Sequence, residues 1–215
     1  MTIFGFLHTA DAHVGVFTAL LSELSPEDRA VHIVDADLLT DARRRGGVDD
    51  DLRTRIGTHL GALTAQGAVR VVCTCSTIGG PSEEIGRAVG IDVLRVDRPM
   101  ARIAVTSGDR IAVVAALEST LGPTRDLLVQ TADLLGRRVT IIDAPCLAAW
   151  PHWERGAHDR YFATIASHLE ALDDTVDVIV LAQASMTPVE GLVQLTSLVV
   201  SSPRTAVSAL VGRTA

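Results

Sequence analysis

Cys75 is the residue in this chain best suited to proton-transfer or nucleophilic chemistry. It follows an apolar run, 69–73, and precedes a helix predicted to start at Pro81 or slightly earlier. A thiol at a helix N-terminus is biased toward thiolate, the basic and nucleophilic form. Cys73 points to the same face but lies deeper in the run. The ordinary alternative for a cysteine is a small buried hydrophobe. Polar groups follow the other apolar runs as well: His8-Thr9-Ala10-Asp11, Asp35-Ala36-Asp37, Glu118-Ser119-Thr120, Asp143-Ala144-Pro145-Cys146 and Gln183-Ala184-Ser185-Met186. Hydroxyls there, together with Ser76 and Thr77 and helix N-terminal amides, make anion cradles, although each alone also reads as an N-cap. His8 is placed either to act as an acid/base or carboxylate contact, or to pack as a hydrogen-bonded ring. His13, His32, His59 and His168 read as structural. His152, Glu154 and His158 are zinc-ligand types, but they flank Trp153 on an expected surface turn with no further ligands nearby. No metal is expected.

These groups converge only if the runs are parallel strands. Eight runs read as strands: 3–7, 31–34, 69–73, 93–96, 111–117, 139–142, 176–181 and 198–201. Most are continuously apolar, as strands covered on both faces are. Helical patterns at 12–24, 51–65, 120–135 and 160–172 lie between them, the third closed by Gly136. Alternation of this kind predicts an α/β fold in which ligands bind beyond the carboxyl ends of the strands. The stretch 96–100 separates four strands from four and reads as a boundary, with 103–108 leading into a second half. The charged stretch 43–51 reads as a solvated connection, or alternatively as a lid.

Composition excludes several chemistries. All 19 basic residues among 215 are Arg, and Lys is absent. No lysine Schiff base and no P-loop can form. Asn is absent too, which removes N-glycosylation. Neither G-x-S-x-G nor a strand-linked G-x-G-x-x-G occurs, so no hydrolase elbow or dinucleotide site is expected, and no cofactor. A net charge of −7 argues against a nucleic-acid partner. No apolar run approaches the roughly 20 residues a membrane span needs. Three cysteines and no signal sequence point to a reducing, cytoplasmic setting.

The ordered set of motifs resembles the aspartate/glutamate/hydantoin racemase superfamily. Val71-Val72-Cys73-Thr74-Cys75-Ser76-Thr77 is similar to its first catalytic-cysteine segment. His8-Thr9 precedes it, and Asp97-Arg98-Pro99-Met100 and Ser119-Thr120-Leu121-Gly122-Pro123-Thr124 follow in order. The run 178–186 is similar to its second-cysteine segment, and Ser201-Ser202-Pro203-Arg204 to its closing turn. The resemblance implies two pseudo-symmetric α/β subdomains, each a mostly parallel four-stranded sheet flanked by helices. They comprise 1–98 with 202–215, and 99–201. It implies a small carboxylate substrate, an amino acid or a dicarboxylate, held in a cleft. It also implies no cofactor or metal, and a homodimer. One cysteine from each half exchanges the α-proton in such racemases.

The chain departs from that pattern where the second cysteine is expected, because Gln183 stands there. A carboxamide neither gives nor takes a proton at neutral pH. Ala116 also replaces an expected Thr, and Ser185 stands near an expected His. The resemblance then leaves Cys75 as thiolate base or nucleophile, with Gln183 hydrogen-bonding the substrate. His8, Thr9, Ser76, Thr77, Ser119, Thr120, Ala184 and Ser185 are its substrate contacts. Cys146 reads as a buried structural thiol, with a substitute thiol as the alternative. A single-cysteine decarboxylase or lyase and a non-catalytic carboxylate binder are the alternatives, although the related decarboxylases keep the second-half cysteine.

Overall fold

The computed structural model describes residues 1–212; positions 213–215 of the segment expected to close the first half lie outside the described residues. In chain order the elements are β1 (Ile3–His8), α1 (Ala12–Leu24), β2 (Arg29–Val34), α2 (Ala36–Arg45), α3 (Asp50–Ala65), β3 (Arg70–Cys73), α4 (Ser76–Val89) and β4 (Val93–Arg95). Then come α5 (Arg98–Ser107), β5 (Arg110–Ala115), α6 (Glu118–Leu134), β6 (Thr140–Pro145), α7 (Trp150–Glu154), α8 (His158–Leu172), β7 (Val178–Leu181), β8 (Leu198–Ser201) and α9 (Ser202–Leu210). Short 3-10 segments cover Leu147–Ala149 and Ala184–Gly191.

The chain divides into two compact units, Met1–Val96 with the segment from Pro203 onward, and Asp97–Ser202. Each holds one four-stranded, all-parallel sheet, ordered β2-β1-β3-β4 in the first and β6-β5-β7-β8 in the second. The two orders are the same permutation of chain order. The helix that follows the last strand of each sheet belongs to the other unit: α5 to the second, α9 to the first.

Alternation along the central strands explains their unbroken apolarity. In β1, Phe4 and Phe6 pack with Phe17, Leu21, Val207 and Leu210 on one face. Leu7 packs with Leu52, Ile56, Leu60 and Leu63 on the other. In β5, Ile111 and Val113 face Met100, Val105 and Leu127, whereas Ala112 and Val114 face Tyr161, Ile165 and Leu169. Both faces are covered, so neither can be polar.

Two expectations need correction. Arg43, Arg44 and Arg45 are not in a loop; they form the last turn of α2, where cations complement the helix dipole. The remaining link is short and tied down. Gly46 closes α2 at φ 75°, Arg45 pairs with Asp49 at 2.7 Å, and Asp49 caps α3 by accepting from the Leu52 amide at 3.0 Å. This fits the solvated connection. The stretch 103–107, which leads into the second half, is the last part of α5, a helix started by Pro99 in its first turn and ended by Gly108 as C-cap. Helix α4 begins at Ser76 rather than near Pro81, so Cys75 is its N-cap residue.

The close approach of α4 to β4 needs a glycine. A Cβ on Gly86 would clash with the Val93 side chain and lie 2.8 Å from the Ile91 carbonyl oxygen, whereas one on Gly61 in α3 would meet nothing. Gly86→Ala is expected to cost about 1–3 kcal/mol by overpacking. Gly61→Ala should gain up to about 1 kcal/mol from helix propensity. Urea unfolding of the two variants measures both.

Candidate active site

Each central strand is a topological switch point. From β1 the chain crosses to β2 on one side and then to β3 on the other, so the strand ends diverge there; β5 relates to β6 and β7 in the same way. The registers make the two positions equivalent. Leu7 pairs with Cys73, and its carbonyl accepts from the Thr74 amide at 3.0 Å. Val114 pairs with Leu181, and its carbonyl accepts from the Ala182 amide at 2.9 Å. Thr74 thus matches Ala182, and Cys75 matches Gln183. Both are extended residues immediately before a helical segment, at φ −120°, ψ 117° for Cys75 and φ −128°, ψ 136° for Gln183.

In the first unit, Cys75 is a free thiol, only 8% exposed, at the rim of the core beside β3. The Cys73 thiol is fully buried and donates to the Cys75 carbonyl at 3.8 Å, so it is structural. Thr9 and Ser76 are buried, and Thr77 is half-buried in the first turn of α4.

His8 is fully buried, and both its ring nitrogens are engaged. Nδ1 lies 2.9 Å from Thr74 Oγ1 and Nε2 lies 2.9 Å from His32 Nδ1. Thr74 gives its one proton to the Leu7 carbonyl at 3.1 Å. Thr74 must therefore accept from His8 Nδ1–H, which leaves His8 Nε2 to accept from His32 Nδ1–H. Burial, reinforced by the His32 and His13 rings, pushes the His8 pKa down to about 3, and the ring is neutral at pH 7. In place of the expected carboxylate contact, His8 holds Thr74, the neighbour of Cys75. Asp35, at the end of β2, is also consumed internally, by Arg55 at 2.5 Å and His59 at 2.6 Å.

In the second unit the Gln183 carboxamide is locked. Its Oε1 accepts from the Ala116 amide at 2.6 Å and the Leu117 amide at 3.1 Å, both just past the end of β5. The side-chain oxygen is thereby used, and the Nε2 hydrogens are the groups left to donate. Ala184 follows as the first 3-10 residue. The hydroxyl of Ser119 is shielded from solvent without a hydrogen-bond partner among the described residues, and Thr120, next in the chain, is buried. The Ser185 hydroxyl is 2.8 Å from the Tyr161 hydroxyl, whose pKa burial pushes well up. Ser185 is therefore anchored from α8, across 24 positions, a contact that local spacing does not reveal.

Cys146 lies elsewhere. Its amide donates to the Ala115 carbonyl at 2.8 Å, as the Asp35 amide does to His8 at 2.9 Å. It thus matches Asp35, at the end of an outer strand, rather than Cys75. Its thiol is buried, donates to the Thr164 carbonyl at 3.9 Å and has its pKa raised by burial. Of the two readings of Cys146, a substitute thiol and a buried structural one, this placement fits the second. Among the described residues, no three His, Cys, Asp or Glu groups are placed to hold a metal ion, and no helix is long and apolar enough to cross a membrane.

Two outcomes follow from this geometry. Gln183→Met keeps the bulk but leaves two amides unpaired, and is expected to cost about 1–3 kcal/mol in urea unfolding. Gln183→Glu keeps the acceptor and should stay nearer to wild type. The depressed His8 pKa means that below pH 6.5 the unfolded chain binds the proton first. Stability should then fall by up to about 1.4 kcal/mol per pH unit for this one residue, from about pH 6.5 down toward the folded-state value. Imidazole NMR checks it directly: the His8 ring should not titrate between pH 5 and 7.5.

No family model matches the sequence, and no curated protein matches it. Solved structures do. Aspartate racemase from Picrophilus torridus superposes with a TM-score of 0.76 at 13% identity, over 99% of this chain and 94% of that one. Glutamate racemase from Francisella tularensis, in complex with D-glutamate, superposes with a TM-score of 0.66 at 15% identity, over 98% and 80%. A glycine-to-cysteine mutant of arylmalonate decarboxylase in a sulfate-associated form gives 0.57 at 17% identity, over 99% and 94%. The chain therefore has the fold shared by aspartate and glutamate racemases and arylmalonate decarboxylase, two four-stranded parallel α/β units in sequence.

Proposed function

We propose that this protein is a cofactor-independent, racemase-like isomerase acting on a small carboxylate, with Cys75 as its thiolate base or nucleophile. The observation that carries the reading is the equivalence of Cys75 and Gln183 at the two switch points. One position holds a group that can exchange a proton, and the other holds a group that can only hydrogen-bond.

In this reading the Cys75 thiolate works in one of two ways. As a base it removes the substrate α-proton, the electron pair moves onto the carboxylate as an enediolate, and the same thiol returns the proton, which exchanges it without inverting the centre. As a nucleophile it adds to the activated double bond of an unsaturated dicarboxylate, the electron pair moves onto the carboxylate, the carbon–carbon bond rotates, and the thiolate is expelled to leave the isomerised double bond. Thr9, Ser76 and Thr77 hydrogen-bond the carboxylate in the first unit, at the positive end of α4. In the second unit, taken by itself, the Ser119 hydroxyl, without a partner among the described residues, Thr120, the Ala184 amide and Ser185 are the carboxylate-holding groups, with Gln183 donating through Nε2. His8 acts one step back, by fixing Thr74. The fold's use with D-glutamate in the Francisella enzyme supports a small-carboxylate substrate here.

A decarboxylase reading is favoured by the same carboxamide. Loss of carbon dioxide also leaves an enediolate, and one thiol then suffices to protonate the carbon. Arylmalonate decarboxylase is among the structural neighbours.

Proton NMR in deuterium oxide tests the reading with amino acids, hydantoins, dicarboxylates and substituted malonates. The expected result is α-proton exchange that is faster by roughly 100-fold or more than in Cys75→Ala, the usual worth of a positioned base. Carbon dioxide release dependent on Cys75 would select the decarboxylase. Full turnover in Cys75→Ala would contradict both. Ligand-raised melting temperature without turnover would mark a binding protein instead.

A further inference from the structure

His13 has no place in the site described so far, and its surroundings are unusual. It stands in the first turn of α1, just past the β1–α1 connection that carries Thr9. Both of its ring nitrogens are shielded from solvent, and neither has a hydrogen-bond partner among the described residues. A neutral imidazole carries one donor and one acceptor, and leaving both unmet in a folded interior is rare. Three histidines are grouped here, and the other two are satisfied. His8 bonds Thr74 and His32, and His32 continues to Thr18 Oγ1 at 3.0 Å. The His8 ring centre is 6.3 Å from that of His13, tilted by 58°, so the rings adjoin without a bond. His8 cannot turn to His13 without releasing Thr74. Protein groups therefore leave the His13 ring nitrogens unpaired among the described residues, at the same carboxyl edge of the sheet as Cys75.

We propose that His13 is a substrate-contacting residue of the Cys75 site, donating its ring N–H to a carboxylate oxygen of the bound ligand. The inference rests on the small-carboxylate reading above and adds to it a contact from α1. The local chemistry suits an anion. The ring lies at the positive end of a 13-residue helix whose N-cap, Asp11, makes no side-chain capping bond, and the buried Thr9 stands beside it. Burial lowers the His13 pKa to about 4, so the free protein holds a neutral ring with one N–H to give. A neutral donor also leaves the carboxylate charge available to the reaction. The orphaned ring is what a site filled only when ligand is present would show.

The experiment uses histidine-selective 15N labelling of the full chain, with D-glutamate, D-aspartate, maleate, hydantoin and phenylmalonate as probes. Imidazole nitrogen shifts are followed beside the Cys75-dependent exchange assay. The expected result is that the probe that exchanges, or that blocks exchange, moves the His13 ring nitrogens more than those of His59, His152, His158 and His168. His13→Phe should then raise KM for that probe by about tenfold or more, the equivalent of a lost charged hydrogen bond. Its melting temperature should be at or above wild type, because two unpaired nitrogens are gone. Cys75-dependent exchange with unmoved His13 shifts and an unchanged KM would overturn this inference and leave the thiol reading intact. Absence of exchange and of any shift with all five probes would overturn both.

Discussion

Parallel pairing of β1 with β3, and of β5 with β7, is the constraint from which the rest of the site follows. Each pairing runs in register to the last strand residue, and one further amide bond, from Thr74 or Ala182, carries it past the end. The next residue has no strand partner and must turn into a helix. That residue is Cys75 in one unit and Gln183 in the other. Burial on both sheet faces leaves the carboxyl edge as the place where polar side chains can gather. The site is thus a consequence of strand register before it is a matter of side-chain choice.

The side chains then make the units chemically unlike. Cys75 presents a thiol at a helix start, its neighbour Thr74 braced by the neutral His8–His32 pair. Gln183 spends its oxygen on two backbone amides and keeps only donors for other use. A thiol cannot replace it without leaving the Ala116 and Leu117 amides unpaired, which costs more than the two bonds return in net stability. The carboxamide therefore stabilises the second unit while removing proton exchange from that position.

Much of this was legible in sequence, for local reasons. The strands read clearly because β-branched runs buried on both faces leave no competing pattern, and 12–24 and 198–201 matched to the residue. Helix α5 was hidden by reading Pro99 as a boundary, although Met100, Ala101, Ala104 and Val105 carry a helical stripe. Helix α2 was hidden because only Leu38 and Ala42 are buried among polar neighbours. Within the site, the strand-end positions were legible, but the bonds that decide roles were not. Gln183 meets amides 66 and 67 positions away, and His8 meets Thr74 across 66. Local periodicity has no access to such pairs. His13 reads as an ordinary first-turn residue until its unpartnered nitrogens are seen.

The central claim is that one position exchanges the proton and its equivalent does not. The ratio of stereochemical inversion to α-deuterium incorporation tests it most directly, read for wild type beside Gln183→Cys on a substrate that exchanges. The account predicts incorporation with little or no inversion in wild type, and a gain of inversion when the second thiol is supplied. Inversion in wild type as fast as incorporation would contradict it, because a second proton donor would then have to act in the native chain.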